Sequence, residues 1–286
     1  GTRDVLDGDD FPVNLDGAAK LHTVVLLGTP NLGSVSSLHG FLEGAKVGLR
    51  RIPAEVLATM PSVYELFPHP IYNWLVTADG KPLDLDLFNT EVWQGYGWSV
   101  FDPKVIRRIR ANMPDEKTAD AQLKVLQAYF EKRLERARRF VWSLTVPLPE
   151  TLVQLVVLGG DCTLTPARLL VEDDHGDSVA RLFPDEVRHR ALGIDYTRLM
   201  LEPGDGEVTK SSLLARQSLD PTVPRNQYLF FPLAYSFFLC EQHDQLTGNI
   251  NFQDNLLNIL LAREHTWEHD ARMPAQDERP LLTSPR

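Results

Sequence analysis

The chain has 286 residues, 43% of them hydrophobic and 24% charged, with a formal charge of −10. That composition lies in the ordinary globular range and the length allows one large core or two small ones. The acidic balance argues against nucleic acid as a partner and against charge-driven adsorption to anionic membranes, and no apolar run is long enough for an integral membrane segment.

Residues 1–20 are polar and turn-rich, with Asp7-Gly8-Asp9-Asp10 ahead of Phe11-Pro12, and read as a surface loop. LHTVVLLG at 21–28 is an apolar run closed by glycine, the habit of a parallel strand buried on both faces. The turn TPNLGS follows. Residues 35–75 mix short helical stretches with Pro53, Pro61, Pro68 and Pro70, and 76–112 carry Trp93, Gly95, Gly97 and Trp98. Leu123, Leu126, Phe130, Leu134, Ala137 and Val141 recur at steps of three and four, which predicts one long helix over about 116–143. Glu135 and Arg139 are expected to pair on its wet face.

LVQLVVLGG at 152–160 is the second buried-strand candidate. Residues 167–173 and 196–202 are predicted to form a two-stranded excursion around a polar loop. QYLFFPLAYSFFLC at 227–240 is the third apolar segment, and Pro232 puts the final strand on one side of that proline. A closing helix is expected over 251–262, with Phe252, Leu256, Ile259 and Leu260 on one face, followed by a charged, mobile tail from about 263. Buried strands separated by helical segments predict an α/β fold with a mostly parallel sheet and a helical insertion at about 45–150. Chemistry in such sheets collects beyond the carboxyl ends of the strands.

Four features at or near those ends invite a functional reading. Gly28-Thr29-Pro30-Asn31-Leu32-Gly33-Ser34 lacks the GK[ST] ending of a phosphate loop and reads as a tight turn. Asp205 sits between Gly204 and Gly206, where the backbone turns sharply and presents a carboxylate; alone it is an ordinary Asp-Gly turn. His243, in Glu241-Gln242-His243-Asp244, follows the last apolar run 38 residues later. Taken together, an acid and then a histidine occupy the second and third places of the order nucleophile, acid, histidine used by hydrolases of the α/β type. The chemistry needs both: histidine takes a hydroxyl proton near neutral pH, and a carboxylate orients the imidazole and stabilises the imidazolium. The cysteines, Cys162 and Cys240, have no metal-ligand spacing; a disulfide between them is allowed but not required, so the redox compartment stays open.

Other candidates read more simply. His265 and His269 are spaced i,i+4 but lack the glutamate of the zincin pattern, so a solvated tail is expected there. Glu172-Asp173-Asp174-His175-Gly176-Asp177 is an acidic hairpin tip, at best a weak cation site. Trp93, Tyr96, Trp98 and Phe101 line an acyl-chain tunnel, pack the insertion onto the sheet, or do both. No metal and no cofactor is expected.

The sequence resembles the lecithin:cholesterol acyltransferase-like α/β hydrolases, especially bacterial members, in four stretches. VVLLGTPNLGS at 24–34 is similar to the strand and turn after the nucleophile elbow. LATMPSVYELFP at 57–68 is similar to the start of the family's cap. GDGEVT at 204–209, with SSLLAR behind it, is similar to its acid motif, and EQHDQLTGNINFQDNLLNIL at 241–260 to its histidine loop and final helix. The resemblance implies Asp205 as triad acid and His243 as general base, and an acyl ester or lipid as substrate. It implies hydrolase core at 1–44, cap at 45–150, core again at 151–262 and a tail at 263–286.

Two departures stand out. Glu207 replaces the family's usual threonine and adds negative charge near Asp205. The elbow pattern G-x-S-x-G occurs nowhere in the sequence, so the chain is expected to be the C-terminal portion of a serine esterase, lipase or O-acyltransferase, inactive alone. Ser34 and Cys240 are the only substitute nucleophiles weighed, and neither has elbow geometry. The alternative is a non-catalytic binding protein that keeps the scaffold.

Overall fold

The computed structural model describes residues 20–144, 153–215 and 233–261. Nearly all of the 1–20 loop, and the tail with His265 and His269, lie outside the described residues. The chain divides into two compact units, Gly1–Leu246 and Thr247–Arg286. In the second, the predicted closing helix runs over Ile250–Leu261, with Asn249 Oδ1 accepting the Asn251 N–H at its start.

In the first unit the chain runs β1 (Thr23–Leu27), α1 (Val35–Glu43), β2 (Ala45–Val47), β3 (Arg50–Ile52), α2 (Ala54–Leu57), α3 (Pro61–Tyr64) and β4 (Leu75–Thr77). Next come α4 (Thr90–Tyr96), α5 (Pro103–Ala111), α6 (Glu116–Ser143), β5 (Gln154–Gly160), β6 (Thr163–Pro166), β7 (Leu169–Asp174) and β8 (Asp177–Arg181). After these follow α7 (Tyr196–Met200), β9 (Leu201–Gly204), α8 (Lys210–Leu213) and β10 (Leu233–Leu239).

The three apolar runs form one parallel sheet in the order β1-β5-β10. The central strand, β5, buries Val156, Val157 and Leu158, as a Val/Leu run flanked by neighbours on both sides demands. β10 begins directly after Pro232, which cannot donate to a ladder. β1 departs from the expectation of full burial: it pairs with β5 alone among the described strands, and its side chains are half-buried. The molecule is thus mixed α/β with a parallel sheet, and none of its described helices is long and apolar enough to cross a membrane.

The excursion between β5 and β10 is built differently from the prediction. Residues 169–174 do not pair with 196–202. β7 pairs with β8 through a tight turn at His175-Gly176, both in the left-handed region. Its other edge takes β4 in parallel, so a strand from the 45–150 segment enters this sheet. Residues 196–200 are helical because Asp195 caps the Arg198 N–H, and only β9 continues as a strand, antiparallel to β6.

The long helix α6 is as its periodicity predicts, capped by Asp115 on the Thr118 N–H. Its six stripe residues are all buried. Phe130 lies at the middle of the stripe, with the rings of Phe41, Tyr64, Trp93 and Phe101 at 5.2 to 5.8 Å. The aromatic residues pack this segment together. Trp93 is fully buried with its indole N–H on the Leu87 carbonyl, and Trp98 donates to Ser178 in β8. Glu135 binds the Arg138 guanidinium through both its oxygens, at i,i+3, and also feels the charge of Arg139 at the expected i,i+4. The two spacings are nearly equivalent on a helix surface.

Candidate functional site

The carboxyl ends of the parallel strands carry Gly28 after β1, Gly160 closing β5, and Cys240-Glu241-Gln242-His243 after β10. Asp205 arrives from β9, which β6 holds through pairing of Gly204 with Thr163. The turn at Asp205 folds on its own side chain. Oδ1 accepts the Glu207 and Val208 N–H groups at 3.1 and 2.8 Å, and the Asp205 N–H returns to the Val208 carbonyl.

That leaves Oδ2 for His243. Nδ1 of the imidazole lies 2.9 Å from it, and the His243 backbone N–H donates to the Asp205 carbonyl at 2.9 Å. The two residues are therefore joined by side chain and main chain together. Asp205 is 1% exposed, whereas the His243 side chain keeps 40% of its surface open. An ionised carboxylate only accepts, so Nδ1 carries the proton and Nε2 of the neutral ring keeps its lone pair.

Two glycines make the approach sterically possible. A Cβ on Gly160 would lie 2.1 Å from the Glu241 carbonyl oxygen and 2.8 Å from Asp205 Cβ. One on Gly28, which also holds φ +57°, would lie 2.8 Å from His243 Cε1.

The hydrogen bond that His243 donates to Asp205 raises the His243 pKa above the ordinary 6.5; partial burial opposes it, and the charges of Asp205, Glu207 and Asp244 add to it. Glu207 is held above the usual carboxylate range by partial burial and by Asp205 and Asp244, with His243 pulling the other way. Because the folded histidine binds its proton more tightly than the unfolded one, the stability it adds is fully present below pH 6.5. It is lost as pH rises through the raised folded value. Asp205→Asn keeps an acceptor for the two turn amides but removes the charge. We predict that the His243 pKa then falls to its ordinary value or lower in an NMR titration of the ring protons. An unshifted pKa would mean that the carboxylate does not govern the imidazole.

The other sequence candidates are not free for chemistry. Ser34 is buried, accepts the Ser37 N–H as the cap of α1, and donates to the Glu207 carbonyl at 3.2 Å. Cys240 is bonded to Cys162. The turn after β1 is pinned by protein groups: Asn31 Nδ2 donates to the Leu213 carbonyl, and the Ser212 hydroxyl bridges the Leu32 N–H and the Gly33 carbonyl. At the acidic hairpin tip Arg181 binds Glu172 and Asp174, and Arg188 binds Asp174. Among the described residues no cluster of three metal-type ligands occurs.

The sequence left the disulfide open, and the structure forms it; the role of Gly160 and Gly28 was missed. The glycines had a visible signal, since each closes an apolar run. For the disulfide the signal was only that the sequence holds two cysteines, and their separation of 78 residues gave no spacing to decide it. Compared with known proteins, the chain matches no family model and no curated sequence.

Proposed function

We propose that Asp205 and His243 are the acid and base of an acyl-transferring site. In this reading the chain is the C-terminal portion of a serine esterase, lipase or O-acyltransferase of the lecithin:cholesterol acyltransferase-like α/β-hydrolase type. The observation that carries the proposal is the hydrogen bond between His243 Nδ1 and the buried Asp205 carboxylate beyond the ends of parallel strands. The order acid then histidine agrees with it. The nature of the substrate, an acyl ester or lipid, rests on the sequence resemblance.

The chemistry follows from the pair. Nε2 of His243 takes the proton of a serine hydroxyl as that oxygen attacks the ester carbonyl. Asp205 stabilises the imidazolium, consistent with the raised His243 pKa. The same proton then passes to the leaving alkoxide, and water or an alcohol releases the acyl group by the reverse route. In our proposal the serine comes from sequence outside these 286 residues.

Expressed alone, this chain should turn over no chromogenic acyl ester. Extended by the natural sequence that carries a G-x-S-x-G serine, it should do so. His243→Ala should then remove activity, and Asp205→Asn should lower kcat on the order of 10⁴-fold. A natural gene without such a serine, or an extended protein indifferent to His243→Ala, would sink the proposal. Turnover by the isolated chain that depends on His243 would refute the outside serine alone. The second reading is a non-catalytic binding protein, and the occupation of Ser34 and Cys240 by other contacts is common to both readings. The natural gene sequence separates the two readings directly.

A further inference from the structure

Cys162 stands just beyond the end of β5, and Cys240 directly after β10. These strands are neighbours, and their register ends at Leu239 opposite Gly160. The disulfide therefore ties the two strand ends immediately past their last paired residues, with a Cα–Cα separation of 4.9 Å. Only Glu241 and Gln242 separate the bond from His243.

Those intervening residues rest on the acid's support. The Glu241 carbonyl and the Asp205 Cβ both lie against the Cα of Gly160. Gly160 is thus a common floor for the acid and for the loop that delivers the histidine, and the disulfide pins that loop to the floor from the side. Without it, the hydrogen bonds to the loop from other elements include Asp161 N–H to the Leu239 carbonyl at 3.2 Å and His243 N–H to the Asp205 carbonyl. Both cysteines are exposed to solvent, so a reductant can reach the bond. On the other side of the loop base, Asp161 is held by Lys210 at 2.6 Å, which keeps the β5 end anchored when the sulfurs part.

We propose that the Cys162–Cys240 disulfide is a thiol-responsive clamp that positions His243 against Asp205. In the step, a thiolate of a dithiol reductant attacks one sulfur, breaks the S–S bond and forms a mixed disulfide. The second thiol of the reductant resolves it. Two electrons and two protons pass to the cysteine pair, which becomes two thiols, and the reductant leaves as its own disulfide. The freed loop then swings on residues 240–242, and the imidazole leaves the carboxylate for part of the time. Cys162 and Cys240 are positioning residues here, acting through His243. The consequence for turnover rests on the acid–base reading above, but the clamp is tested without turnover.

The test uses the full chain, as purified in air and after dithiothreitol, with mass spectrometry to count thiols and circular dichroism to follow the fold. The His243 ring resonance, assigned by its loss in His243→Gln, is titrated in both states. The charged groups that set its titration are Asp205, Glu207 and Asp244. The oxidised chain should show a His243 pKa above 6.5, and reduction should move it down toward 6.5 with the fold retained. The double variant Cys162→Ser, Cys240→Ser should match the reduced chain. Three results would overturn the proposal: free thiols in the air-purified protein, an unchanged pKa after complete reduction, or loss of the whole fold on reduction, which would make the bond a general staple. An ester assay of the extended protein can fail while the shift persists, so the two readings fall separately.

Discussion

Phe130→Ala should lower stability by about 3–5 kcal/mol, read as a lower denaturant midpoint at unchanged slope. The ring is fully buried at the middle of the α6 stripe, and four aromatic side chains from α1, α3, α4 and the segment after α4 close on it. Truncation loses the transfer energy of the ring and leaves a cavity that rigid neighbours cannot fill. Edge-to-face pairs such as that with Trp93 add about 0.5–1.5 kcal/mol beyond the area buried. Phe130→Leu, which keeps most of the volume, should cost markedly less. A loss below about 1 kcal/mol for the alanine variant would mean that these rings are loosely arranged, as a lined tunnel would have them.

Acidification should destabilise the protein through His69. This residue is fully buried in the loop after α3, with its N–H on the Leu32 carbonyl and its ring edge-on to Trp142. Nδ1 accepts the Ile71 N–H, so the neutral ring carries its proton on Nε2, which lies toward the Val141 carbonyl without a hydrogen bond of normal geometry. Burial drives its pKa down to about 4. The unfolded chain, near 6.5, binds that proton first, so stability falls as pH drops from 6.5 toward 4. The full effect is about 3 kcal/mol. His39, also held below its ordinary value by burial, slopes the same way, whereas His243, raised in the fold, slopes oppositely. The clean comparison is therefore with His69→Asn, whose side-chain oxygen still accepts from Ile71 but does not titrate. Between pH 7.5 and 4.5 the native chain should lose about 2–3 kcal/mol more than this variant in urea unfolding. Equal losses would show that His69 is not buried neutral.

What was legible in the sequence follows from the range of the forces involved. α6 was readable because one stripe of apolar residues runs through its whole length, and the three parallel strands because each is a largely apolar run set off by turn residues or proline. The order of Asp205 and His243 was visible, and the structure brings the two together. The backbone bond between them and the glycine floor were not visible, since they depend on where strand ends meet. The pairing of β4 with β7 escaped because three residues of strand carry no periodicity to read. The acidic run at 172–177 read as a hairpin tip with at best a weak cation site, yet Glu172 is 5% exposed: its charge is met by Arg181, brought alongside only by the hairpin register.

The pairing of β1 with β5 sets the order in which the molecule can assemble. Among the described residues Thr23 finds its strand neighbour at Gln154, and the rings packed on Phe130 of α6 lie between them in the chain. During synthesis those rings have one another at hand as soon as α6 leaves the ribosome, whereas the β1 edge that takes β5 stays unpaired until Gln154–Gly160 follows. Slowing translation beyond α6 should therefore lengthen the interval in which β1 is open to chaperones and to wrong pairing, well before the histidine end of the chain exists.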